Sequence, residues 1–117
     1  MGRNLFLVYS SPVEGKLDEY HAWYDQHVID ISKVKGFASA QRFELNEEIS
    51  ESSGATPRRF LVVYEIVGDA GEAMANLREA AISGAVERPD PTCVIGDYYG
   101  QHFRPIRDRI VNGGIES

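Results

Sequence analysis

The sequence is poor in the groups that most often declare a chemistry. One cysteine, Cys93, stands among 117 residues, so neither an intrachain disulfide nor a cysteine metal cluster is available. A lone thiol fits a reducing compartment. No apolar run approaches the roughly 20 residues that a membrane-spanning helix needs. Lys and Arg number 12 against 18 Asp and Glu, for a net charge of −6. The basic residues are scattered, apart from Arg58-Arg59 and Arg104, Arg107 and Arg109, which argues against nucleic acid and anionic membranes as partners. The start, MGRNLFLVYSS, meets Pro12 and Glu14 after a run of strand length and makes a poor secretory signal. H-x-x-x-H and H-E-x-x-H are absent, and neither Gly68-Asp69-Ala70-Gly71 nor Gly113-Gly114 matches a phosphate-binding fingerprint. The expectation is a cytoplasmic protein with no metal and no cofactor.

What is present reads as one domain over residues 1–117, ordinary in size and composition. Asn4–Ser10 is apolar on both alternating faces, as a central strand would be. Helical spacing runs from Leu17 to about Val34, with Gly36 as the stop. Phe37–Leu45 reads as a strand with Phe37, Phe43 and Leu45 on one parity. Residues 46–58 are acidic, Ser-rich and broken by Gly54 and Pro57, an exposed loop. Phe60–Val67 is the clearest strand. Asp69-x-x-Glu72 is a capping box opening a small-sided helix that lasts to Ser83-Gly84. A turn at Glu87–Pro91 leads to a last strand, Thr92–Phe103, and 105–117 form a polar tail. The order β-α-β-β-α-β predicts an α+β, ferredoxin-like fold: a four-stranded antiparallel sheet with two helices on one face. Phe6 and Val8 share one parity of the first strand and Leu5, Leu7 and Tyr9 the other, so both its faces are apolar, and the uncovered sheet face calls for a second copy. A homodimer is expected.

The densest chemistry lies in Tyr20–Asp30 (YHAWYDQHVID), which holds two tyrosines, the only tryptophan and two of the three histidines. On a helix, Leu17, Tyr20, Tyr24, Val28, Ile31 and Val34 form an arc that includes His27, with Trp23 on its shoulder. Polar-tipped rings around a titratable imidazole suit the wall of a small-molecule pocket. His27 is the candidate general acid/base, with Asp30 three residues on and within reach of its imidazole, and Tyr24 as a catalytic hydrogen-bond donor. Tyr20 and Trp23 are candidates for substrate binding. The plainer reading of His27 is a buried histidine satisfied by a carbonyl or a tyrosine hydroxyl. His21 and Asp25, on the other shoulder, read as a surface ion pair. His21 and His27 lie about 120° apart around the helix and cannot share a metal. Tyr98 and His102 share a face of the last strand and either complete the pocket or pack in a dimer interface. Arg42 would bind a carboxylate ligand or serve the surface beside Glu44.

Residues 19–45, EYHAWYDQHVIDISKVKGFASAQRFEL, resemble the dimeric α/β-barrel superfamily and within it the EthD-like proteins. The resemblance rests on Trp23, Tyr24 and His27 as a W-Y-x-x-x-H pattern, followed by Gly36 and Phe37 opening the second strand. Two departures stand out: Lys35 replaces a proline common before the glycine, and Val28-Ile29 replace one common after the histidine. The first helix is therefore expected to run unbroken past His27. The resemblance implies a dimeric barrel with a pocket between sheet and helices, and His27, Trp23 and Tyr24 as the family's helix residues. Relatives include cofactor-independent monooxygenases, muconolactone isomerases, polyketide cyclases and haem-handling proteins. The resulting expectation is an enzyme acting on a cyclic, aromatic or polyketide-like oxygenated substrate by His-assisted proton transfer. The alternative is a non-catalytic small-molecule-binding protein of the same fold.

Overall fold

A computed structural model describes residues 3–51, 58–87 and 95–115. The central strand is β1 (Asn4–Pro12), as its two apolar faces require. It is followed by α1 (Leu17–Ser32), β2 (Phe37–Glu44), β3 (Phe60–Ile66), α2 (Ala70–Ser83) and β4 (Ile95–Phe103). The strands form one sheet in the order β2-β3-β1-β4, with each neighbouring pair antiparallel. This is the ferredoxin-like α+β arrangement expected from the element order. Residues 88–94, where the sequence places a turn, Cys93 and the first residues of the last strand, lie outside the described residues. So do 52–57 of the expected loop; its described part, 46–51, is exposed.

Register sorts the side chains into two layers. Phe6 lies opposite Tyr64, Val8 opposite Val62 and Ser10 opposite Phe60. These positions meet the helices, and Phe60, Val62, Tyr64 and Ile66 are all buried. The opposite face carries Leu5, Leu7, Tyr9, Leu61 and Val63, and no helix among the described residues covers it. One expectation needs correcting. Phe37 and Phe43 do not share a face: Phe37 pairs with Ile66 on the helix side, while Phe43 pairs with Leu61 on the bare side. The register shifts between Phe37 and Ser39, and such a bulge inserts one residue and reverses the alternation beyond it.

α1 runs unbroken past His27, as the missing proline predicts. α2 opens on Asp69, whose carboxylate accepts from the Glu72 backbone N–H at 2.9 Å, the N-cap half of the expected box. It packs against Gly36, in the α1–β2 connection. A Cβ on Gly36 would lie 2.8 Å from Cβ of Ala73, and φ there is +102°. Gly36 is therefore a packing contact rather than the helix terminator the sequence suggested; α1 ends at Ser32 with Lys33 as its C-cap. The tail is not featureless either. Ile110–Val111 and Gly114–Ile115 pair as a small hairpin, β5 and β6, and Asn112 and Gly113 both take positive φ, the type I′ turn that Asn-Gly favours.

Candidate functional site

The helix-facing side of the sheet and the buried arc of α1 do not meet everywhere. Between them lies a cavity of about 160 Å³. Its floor is Phe6, Val8, Tyr64 and Gly100 of the sheet, and one wall is Trp23, Tyr24, His27 and Ile31 of α1. Leu77 of α2 and Ile95 and Tyr98 of β4 complete it. The floor depends on Gly100, where a Cβ would stand 2.5 Å from the Phe6 ring. With glycine there the ring lies flat and stacks on His102 at 4.3 Å. Larger hollows elsewhere, of about 580 Å³ along Glu44–Glu48 and about 570 Å³ beside Asp30 and Lys33, are open and lined mainly by polar or small groups.

The wall of α1 is an aromatic stack. The Trp23 and His27 rings lie 4.1 Å apart and nearly parallel, and Tyr24 meets both edge-on. Nδ1 of His27 is buried and has no hydrogen-bond partner among the described residues. Burial pushes the His27 imidazole down to about 4, against opposing pulls from the Asp30 charge and the Glu87 backbone. Burial pushes the Tyr24 hydroxyl up to about 12, so at neutral pH it remains a donor.

Four of the residues singled out in the sequence come together at the cavity: Trp23, Tyr24, His27 and Tyr98. Three do not line it. Tyr20 is buried deeper under α1, with its hydroxyl bonded to Ser10. Asp30 accepts from Nε2 of Gln26 at 2.9 Å and lines the groove between the helix ends, so it reaches His27 by charge and not by a hydrogen bond. His102 faces the helix side of the sheet, but beneath Phe6. Tyr98 and His102 thus both lie on the helix-facing layer and not on the bare face, which answers the question their alternation left open.

Arg42 has a larger part than its sequence position implied. It projects from β2 toward α1, donating from Nη1 to Asp25 at 2.8 Å and from Nη2 to Nδ1 of His21 at 2.9 Å. Its guanidinium also lies over the rings of Tyr20 and Tyr24, at 5.5 and 5.2 Å. His21 and Asp25 are therefore joined through Arg42 and not to each other. The sequence reading missed Phe6, Val8, Tyr64, Leu77, Ile95 and Gly100 as lining. β-strand parity could have flagged Phe6, Val8 and Gly100; Leu77 and Ile95 depend on tertiary packing. Among the described residues, no cluster of three or more His, Cys, Asp or Glu is placed to hold a metal. No helix among the described residues is long and apolar enough to cross a membrane.

No family model matches the chain, and no curated protein matches it. Solved structures do. A dabb family protein with a ferredoxin-like fold from Mesorhizobium loti aligns with TM-score 0.63 at 13% identity, over 92% of this chain and 100% of that one. A Pseudomonas aeruginosa protein aligns with TM-score 0.63 at 7% identity, over 92% and 97%. An inferred monooxygenase from Shewanella loihica aligns with TM-score 0.55 at 17% identity, over 92% and 98%. Identities this low carry architecture and not chemistry. With two helices on one face of a β2-β3-β1-β4 sheet and these likenesses along nearly its whole length, the chain has the ferredoxin-like fold.

Proposed function

We propose that the chain is a small-molecule enzyme acting on a cyclic or aromatic, oxygenated substrate seated beside His27. In this reading the imidazole assists a proton transfer, the Tyr24 hydroxyl orients a substrate oxygen, and Trp23 and Tyr98 supply aromatic contact. The observation that carries it is Nδ1 of His27, a buried polar atom without a partner among the described residues, on a residue that lines an aromatic cavity. Buried polar atoms are rarely left unpaired, and one beside a cavity is suited to a ligand's polar group. The neutral imidazole can accept a proton or a hydrogen bond at pH 7, and Asp30 assists through its charge. Isomerisation, cyclisation, lyase chemistry and cofactor-free oxygenation all draw on such a proton transfer. The test is turnover across a panel of phenols, lactones and quinones, compared between wild type and His27→Ala. Loss of at least 100-fold in the variant is expected; unchanged turnover with the fold intact rejects the role of His27.

Two observations favour a second reading, a non-catalytic binding protein using the same cavity. An imidazole pushed down to about 4 is a weak base, and Asp30 is bonded to Gln26 instead of to the ring. Saturable binding with no product from any ligand of the panel would establish that alternative.

The same proposal includes a homodimer in the cytoplasm. The uncovered sheet face supports the dimer, with Phe43, Tyr99 and Phe103 between 42% and 49% exposed. So does the shape. The radius of gyration is 15.7 Å, against about 13 Å for a compact chain of this length. A second sheet packed on the bare face would bury these side chains.

A further inference from the structure

We infer that the cavity beside His27 takes an uncharged, single-ring compound carrying a hydroxyl or carbonyl group, and excludes both carboxylates and fused-ring molecules. The inference rests on the preceding reading that the cavity is a ligand site, and narrows its ligand. Size is the first constraint. At about 160 Å³, the cavity is close to the roughly 150 Å³ engineered apolar cavity that holds benzene in another protein. It leaves no room for a second fused ring. The sheet side cannot yield, because Phe6 already fills the space above Gly100. Tyr98, 57% exposed on the edge strand β4, forms the open side of the cavity.

Charge is the second constraint. Among the described residues, no Lys, Arg, Asp or Glu lines the cavity. Two charged groups close to its walls are turned to other work: Arg42 is held by Asp25 and His21, and Asp30 by Gln26. A carboxylate seated there would lose its water and find no counter-ion, which is costly in an apolar site. Shape is the third. Phe6, Trp23, Tyr24, Tyr64 and Tyr98 offer ring faces and edges, and such walls favour a flat aromatic guest. The fourth is polarity. Unpartnered Nδ1 of His27 offers one position for a hydrogen bond, enough to orient a single oxygen substituent.

Trp23, the only tryptophan, makes the test direct. Quenching of its fluorescence is followed with phenol, benzyl alcohol, benzoate and 1-naphthol at pH 7, and the affinities are checked by calorimetry. Phenol and benzyl alcohol are expected to bind saturably, and benzoate and 1-naphthol at least tenfold more weakly. Leu77→Phe, which fills the cavity from α2, is expected to abolish phenol binding; full retention would place the ligand elsewhere and overturn the assignment. Tyr98→Ala, a change at an exposed position, is expected to bring 1-naphthol within threefold of phenol while benzoate stays excluded. Benzoate or 1-naphthol binding the wild type as tightly as phenol overturns the ligand class and leaves the site standing. Failure of all four to bind removes the site itself.

Discussion

Arg42 organises its surroundings with hydrogen bonds that run only one way. A guanidinium can donate and cannot accept, so His21 must offer its Nδ1 lone pair to Nη2 and carry its own proton on Nε2. The same group ties Asp25 and stacks over Tyr20 and Tyr24, anchoring the middle of α1 to β2. Lysine has neither the planar fork nor the stacking surface. Arg42→Lys is expected to cost on the order of 1–2 kcal/mol in urea unfolding and to shift Trp23 emission as the helix loosens. His27 makes a second prediction at this scale. Its folded-state pKa is about 4 against an ordinary 6.5. Above pH 6.5 neither the folded nor the unfolded chain holds this proton, and stability does not depend on it. As pH falls from 6.5 to about 4, the unfolded chain takes up a proton that the folded one refuses, so stability declines. The loss levels off below 4, at on the order of 2 kcal/mol once partial solvent contact is allowed for. Urea melts of wild type and His27→Gln between pH 7 and pH 4 should show the variant losing less over that window.

At the scale of elements, the α1–β2 connection sets how closely the two helices pack. Gly36 combines a left-handed backbone with a 2.8 Å approach of any added Cβ to Ala73. Gly36→Ala is expected to destabilise by about 2–4 kcal/mol, from backbone strain and overpacking together. Adding Ala73→Gly should relieve the collision and not the strain, recovering part of the loss in a denaturant-melt double-mutant cycle. This region also marks where sequence pattern stops informing. β1, α1, β3 and α2 were legible, because alternation and helical spacing report burial directly where an element is regular. β2 was misread because a bulge near Ala38 reverses its parity, and a bulge between small residues leaves no trace in the hydrophobic pattern. The hairpin at Ile110–Ile115 was passed over as polar tail although Asn112-Gly113 is a turn signal; its flanking strands are only two residues each. In the site, Trp23, Tyr24 and His27 were legible as one helix face. Asp30 was not, since spacing allows a contact with His27 and equally with Gln26, and side-chain competition decides between them.

The whole molecule is thin, 45 × 41 × 20 Å, a single sheet under one layer of helices. Its exposed face is the clearest statement about assembly. Leu7 and Leu61 lie near the middle of that face, and Leu7→Glu with Leu61→Glu is expected to give a monomer in sedimentation equilibrium, while the wild type is expected to give a dimer. A monomeric wild type would end the dimer proposal. By itself the sequence determined the element order, the two-faced central strand and the aromatic helix, because each depends on local periodicity and composition. Only the tertiary structure decided which ring lines a cavity and which supports it from below. Tyr20 and Tyr24 are one turn apart with the same chemistry and both are buried, yet Tyr24 lines the cavity and Tyr20 does not. Ser10, Arg42 and Gly100 are far apart in the chain, and strand register brings them under the same helix. Periodicity can say that a side chain is buried, but not what it is buried against.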